Sequence, residues 1–158
     1  MFRQTYEKQL DGKRRLLIPQ DYRTAENGAE TGVFLFPSIE ADCLEGGGDR
    51  LLATLTDMIQ DLPFGSAERS ALEWQVMGEQ TRLAFDAGGR ITLPEGLCAE
   101  AGLGEDVVIV GLGDRFQIWN KAAHAARRAE QRALAKASMA QIGAQKLAAQ
   151  MKLAGGGQ

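Results

Sequence analysis

Histidine and cysteine are nearly absent from this 158-residue chain, which has one His and two Cys. Cys43 and Cys98 lie far apart and form no Cys-x-x-Cys pair. Neither a zinc site nor a dithiol redox centre is written there, and both are expected as reduced packing residues of a cytoplasmic protein. The single His124 has no Ser, Cys or carboxylate set beside it by a recognisable motif, which argues against a nucleophile–base pair and so against an enzyme. Gly111-Leu112-Gly113-Asp114-Arg115-Phe116 lacks the third glycine of a dinucleotide loop, and Gly46-Gly47-Gly48 lacks the Gly-Lys-[Ser/Thr] ending of a phosphate loop. No cofactor and no metal is expected. No apolar run approaches the roughly 18 residues of a membrane span, and Met1 to Glu7 has no apolar signal-peptide core.

What is present is an ordinary globular composition, 44% hydrophobic and 25% charged. The net charge of −3 is unevenly spread. From Asn120 onward stand seven cations (Lys121, Arg127, Arg128, Arg132, Lys136, Lys146 and Lys152) and one acid, Glu130. That segment is +6 and the rest of the chain −9. Within the acidic part, Lys13, Arg14 and Arg15 are adjacent, with Arg3 and Lys8 upstream. Phosphate attraction is screened over about 10 Å, so a small basic face can act on an acidic protein.

The basic cluster belongs to a repeat. Asp11-Gly12-Lys13-Arg14-Arg15-Leu16-Leu17-Ile18-Pro19 returns as Asp86-Ala87-Gly88-Gly89-Arg90-Ile91-Thr92-Leu93-Pro94. Both fit Asp-x-x-x-Arg, three mostly β-forming residues, then Pro. Two copies predict a pseudo-symmetric unit rather than a solenoid. Each reads as a hairpin: an entering strand, a polar or glycine turn, and an exit strand ended by a proline that cannot donate to a ladder. A short helix then follows, over Gln20 to Glu26 and over Glu95 to Gly102. Two readings of the motif stand side by side. The Asp and Arg clamp a turn and do nothing else, or the cations at the tip are ligands for phosphate and guanine.

The surroundings match as well. Val33 to Phe36 and Asp106 to Gly111 read as buried strands. Cys43-Leu44 begins a short fourth strand, the three glycines after it read as a flexible connection, and Asp114 to Trp119 alternates as a last strand. Between the copies, Leu51, Leu52, Leu55, Met58, Ile59 and Leu62 form a helical stripe, with Asp49 as its cap. A second helix runs from Ala67 to about Met77, opened at Ser66, with Leu72, Val76 and Trp74 inward. Residues 120–153 are rich in Ala, Gln, Lys and Arg, a strong helix composition. That helix is either a solvated element docked on a neighbouring subunit or an added DNA-binding arm. Residues 154–158 are expected to be disordered.

Taken together, the paired Asp-x-x-x-Arg turns, Met1-Phe2, Tyr22-Arg23, Ala101-Gly102-Leu103 and the ending Val110-Gly111-Leu112-Gly113…Phe116-Gln117-Ile118-Trp119 resemble the MraZ family of bacterial transcriptional regulators. The resemblance covers roughly residues 1–122. It implies an α+β fold, a double-psi or swapped-hairpin AbrB-like β-barrel made of two SpoVT-AbrB repeats. The organisation it implies is repeat 1 at 5–49, a helical connector at 50–79, repeat 2 at 80–123, and a basic C-terminal helix and tail at 124–158. It further implies a cytoplasmic, nucleoid-associated homo-oligomeric ring. That ring binds tandem promoter boxes in double-stranded DNA and regulates, as a repressor, the division and cell-wall gene cluster that includes its own gene.

The DNA-facing segments carry over to Asp11, Lys13, Arg14 and Arg15 in the first copy and to Asp86 and Arg90 in the second. Lys8 is added as a phosphate contact. The alternative is an AbrB-fold protein-binding module, antitoxin-like or a scaffold, that does not read DNA. The chain departs from the family in three places. Arg14 stands where the family has Gly, Ala87-Gly88-Gly89 replaces a more polar second turn, and Gly46 to Gly48 replace an aromatic-Pro strand end, so the last strand of the first repeat is expected to fray.

Overall fold

The computed structural model describes residues 1–25 and 31–156, divided into two compact units, Met1–Lys121 and Ala122–Gln158. In the first unit each half of the repeat makes two strands around its turn, a short helix, and two further strands. The first half is β1 (Thr5–Gln9), β2 (Arg15–Leu17), α1 (Gln20–Arg23), β3 (Gly32–Pro37) and β4 (Leu44–Gly47). The connector is α2 (Asp49–Gln60) and α3 (Ala67–Leu72), which runs on as a π-helical segment, Glu73–Gly78. The second half is β5 (Thr81–Ala84), β6 (Arg90–Thr92), α4 (Glu95–Glu100), β7 (Asp106–Gly111) and β8 (Phe116–Asn120). The expected helix end at Glu26 lies outside the described residues.

The two halves interlock. The six-stranded sheet has the order β1-β7-β8-β4-β3-β5, and β2 pairs with β6 in a separate two-stranded ribbon. Exchanging the halves maps this order onto itself. β1 of the first half pairs antiparallel with β7 of the second, and β5 of the second pairs antiparallel with β3 of the first. The central pair β4–β8 and the ribbon β2–β6 each join one strand from either half. Among the described residues only β3–β4 and β7–β8 are pairs within a half.

This corrects the hairpin expectation. The strands flanking each Asp-x-x-x-Arg turn do not pair with each other; β1 goes to the sheet and β2 to the ribbon. A period-two pattern says which face of a strand is buried, not which edge it joins. Among the described residues no ladder joins β1 to β5, so hydrogen bonds do not close the sheet into a barrel. The ribbon is reached from edge strand β1 through the first turn and from edge strand β5 through the second.

The main core draws on both halves: Leu16, Ile18, Tyr22, Val33, Leu35 and Leu44 meet Ile91, Leu93, Val107, Ile109, Phe116 and Ile118. At its N-terminal end Phe2 stacks edge-on against Tyr22 and Phe116, with ring centroids 5.3 and 5.2 Å apart. Its backbone bridges Gly113 in the β7–β8 turn. Burial pushes the Tyr22 pKa upward, and its hydroxyl donates to the Gln4 carbonyl at 2.7 Å. Neither half encloses this core alone, so the halves fold as one unit.

The triple glycine is a second correction. Gly46 and Gly47 are buried residues of β4, not a flexible connection. A Cβ on Gly46 would stand 2.5 Å from the Phe116 ring and 2.6 Å from Leu35 Cδ2. Glycine is required because the aromatic ring of β8 occupies the space a side chain would fill. The connector packs Leu51, Ile59 and Val76 on Phe36 of β3, a smaller core. Ser66 caps α3, accepting from the Arg69 N–H at 3.2 Å. Asp49 is the first residue of α2 rather than its cap, which is Gly48. Met58 and Trp74 are exposed rather than inward, at 62% and 72%; the helical stripe passes to one side of both.

The second unit follows from its composition. α5 runs from Lys121 to Gly155 without a buried residue. Ala154 and Gly155 continue it, so helix replaces the disorder expected there, and residues 157–158 lie outside the described set.

Candidate nucleic-acid interface

Each turn is closed by its aspartate in the same way. In the first, Asp11 Oδ1 accepts from the N–H groups of Lys13 and Arg15, both at 2.9 Å, while Oδ2 takes the Arg15 Nε. In the second, Asp86 Oδ1 accepts from Gly88 and Arg90, both at 2.9 Å, and Oδ2 takes the Arg90 Nε at 3.0 Å. Backbone bonds repeat too: Arg14 N–H to Asp11 O and Gly89 N–H to Asp86 O, each at 3.0 Å. These donors favour the charged carboxylate. The Arg15 N–H and its companions hold Asp11 down at about 2, and the Arg90 N–H and its companions lower Asp86 as well. The clamp is therefore part of what the motif does, and each clamped arginine has only its Nε committed to its aspartate.

The ribbon sets the turns side by side. Its register is Arg15↔Thr92, Leu16↔Ile91 and Leu17↔Arg90. Leu16 and Ile91 are buried, so the alternation turns Arg15, Leu17, Arg90 and Thr92 to the outer face. Arg90 Nη1 reaches Asp11 Oδ2 at 3.9 Å, so the first aspartate meets arginines from both repeats. The backbones cross-link in the same sense, Leu93 N–H to Arg14 O at 2.9 Å and Ile18 N–H to Gly89 O at 3.2 Å.

The turns differ in how they are filled. Arg14 occupies the left-handed region at φ 59°, and its Nε donates to the Leu93 carbonyl at 3.0 Å. Beside it on α4 is Cys98; burial raises that thiol's pKa, and the Arg14 charge pulls it the other way. Gly89 holds the matching position at φ 80°. The space there belongs to Arg23 of α1: a Cβ on Gly89 would run into its Nη1 and stand 2.5 Å from its Cζ. Arg23 Nε is buried and has no hydrogen-bond partner among the described residues.

Of the residues expected from sequence, Asp11, Lys13, Arg14, Arg15, Asp86 and Arg90 come together around the ribbon. Lys8 does not join them. It lies on β1 in a shallow groove with Glu7, Gln9, Asp106 and Lys121, its ammonium 5.8 Å from the Tyr6 ring centroid. Arg23 was missed. Its signal is visible when the repeats are superposed in sequence: the first half has Arg14 and Arg23 where the second has Gly89 and Cys98. Arg23 adds a cation over the second turn to Lys13, Arg14, Arg15 and Arg90, while Glu105 lines the groove beside Asp11 and Arg14.

Comparison with known proteins agrees with the family resemblance. A family model described as "MraZ protein, putative antitoxin-like" matches residues 76–145. Transcriptional regulator MraZ of Phenylobacterium zucineum is 53% identical over 157 residues, spanning 99% of this chain and 98% of that protein. Its namesake in Caulobacter vibrioides is 51% identical over 156 residues and 99% of both chains. That of Rhodospirillum rubrum is 38% identical over 127 residues, 78% of this chain and 82% of its own.

Proposed function

The chain belongs to the MraZ family, and from that membership we propose that it is a DNA-binding regulator of transcription that reads promoter boxes with the β2–β6 ribbon and its two clamped turns. The observation that carries the reading is the pairing of two Asp-clamped, arginine-bearing turns by one inter-repeat ribbon. A two-stranded ribbon fits the major groove of B-DNA. Arg15 then presents its Nη edge to guanine O6 and N7, a contact worth about 1–3 kcal/mol of discrimination. Lys13 and Arg14 lie on phosphates and set the register. The aspartates hold the arginines in one rotamer before DNA arrives, which lowers the entropy cost of binding.

The finer reading follows the family. The sheet and ribbon correspond to an AbrB-like swapped-hairpin barrel. Subunits close into a ring, so that several ribbons meet tandem boxes upstream of the division and cell-wall cluster that includes its own gene. Such linkage raises avidity by roughly 10²–10⁴. The protein acts there as a cytoplasmic, nucleoid-associated repressor without enzymatic activity. The antitoxin-like description of the family model keeps a protein-binding module as the second reading.

Fluorescence anisotropy with a duplex from upstream of its own gene, at several salt concentrations, decides between them. Salt-dependent binding that weakens at least tenfold in Arg15→Gln, with the melting temperature and oligomer mass retained, supports the ribbon as reader. Equal binding by both proteins moves the contact elsewhere, and no binding by the wild type leaves the protein-binding module.

A further inference from the structure

We propose that Arg23 is a phosphate ligand of the second turn, supplying from α1 the cation that the Ala87-Gly88-Gly89 sequence lacks; the inference rests on the DNA-reading assignment above. The pseudo-twofold exchange makes position 14 equivalent to 89 and position 23 equivalent to 98. At the first turn the cation is Arg14, on the turn itself, with Cys98 behind it. At the second the turn residue is Gly89, and Arg23 comes from behind to cover it. Each turn thus has one arginine in the same structural slot beside its clamped Asp–Arg pair, delivered once by the turn and once by the helix.

Two observations set Arg23 apart from an ordinary packed arginine. No carboxylate pairs with it among the described residues, whereas Arg15 and Arg90 each hold an aspartate and Arg115 holds Glu45. Its Nε is buried and without a hydrogen-bond partner among the described residues, while the residue as a whole is only half-buried. A half-buried guanidinium with no carboxylate beside it among the described residues suits an anion approaching from outside. The glycine at 89 matters here twice. It takes the positive φ, and it leaves the room without which Arg23 could not lie across the turn.

The test separates charge from packing. Full-length wild type, Arg23→Gln, Arg23→Lys and Arg23→Cys are titrated with the own-promoter duplex over a range of salt, with melting curves for each. Arg23→Cys installs what the other repeat already accommodates at Cys98, so one uncharged variant remains if Arg23→Gln fails to fold. Each phosphate contact contributes about 0.9 to the slope of log K against log salt. The expected result is a slope shallower by about 0.9 per DNA-bound Arg23 in the Gln and Cys variants, with Arg23→Lys retaining the wild-type slope. Wild-type binding with an unchanged slope in Gln and Cys overturns this inference and leaves the ribbon assignment standing. Absence of wild-type binding overturns both.

Discussion

In the first turn the residue at positive φ is Arg14, at 59°; in the second it is Gly89, at 80°. The clamps share the aspartate that takes two N–H groups and one guanidinium Nε and the backbone bond that closes the loop, and Asp11 alone is also approached by the other repeat's arginine among the described residues. A left-handed conformation costs a non-glycine residue about 1–2 kcal/mol, so the first turn is under strain that the second avoids. The strain comes with a cation on the tip and a hydrogen bond to Leu93 of the other repeat. The comparison shows one scaffold holding two different fillings. The second turn has the relaxed backbone and borrows its arginine from α1.

The sharpest way to break the comparison is at the clamped arginines. Arg15→Gln is expected to lose up to about 3 kcal/mol of DNA affinity. Arg90→Gln is expected to lose less, because Arg90 also leans on Asp11 across the ribbon and its turn carries fewer cations of its own. Parallel anisotropy titrations compare them, and equal losses would make the turns functionally alike.

Next in size is Gly89→Ala. It forces a Cβ onto the Arg23 guanidinium and a side chain into the left-handed region, and should cost about 2 kcal/mol of stability in denaturant melts. The same change in an Arg23→Gln background should cost less, since the longer-range clash is gone.

Arg14→Gly, which makes the first turn like the second, is expected to shift stability by less than about 1 kcal/mol, because relief of strain and loss of the bond to Leu93 nearly cancel. Its DNA affinity should fall all the same, which separates the two roles of Arg14.

The smallest effect at neutral pH lies in the aspartates. The Asp11 carboxyl is held down at about 2, so its clamp contributes fully above the ordinary carboxylate range near 4 and is lost as pH falls through about 2. Carboxyl titration by NMR should give a midpoint near 2 for Asp11, and a value close to 4 would mean the clamp is open in solution.

Much of this was legible in the chain because the interactions are local. Asp and Arg four residues apart around a turn, Ser66 at a helix start and the unbroken Ala-rich run behave as composition and spacing predict. The glycines were misread because glycine speaks equally of a free backbone and of a crowded one. Gly46 proved to be the second kind only because Phe116, from the other repeat, lies over it. Trp74 and Met58 were placed inward by periodicity alone, and the connector buries a narrower face.

The sequence by itself determined that there are two like halves, where their turns fall, and that each turn is tied by its own aspartate, since all of this is decided within a few residues of chain. Tertiary structure alone decided that β2 leaves its neighbour in sequence to pair with β6, that one core is shared between the halves, and that Arg23 crosses from one repeat to lie on the other's glycine. Strand edges and empty spaces have no signature in a local pattern; they are settled by which distant segments fill them, and that choice belongs to the folded chain as a whole.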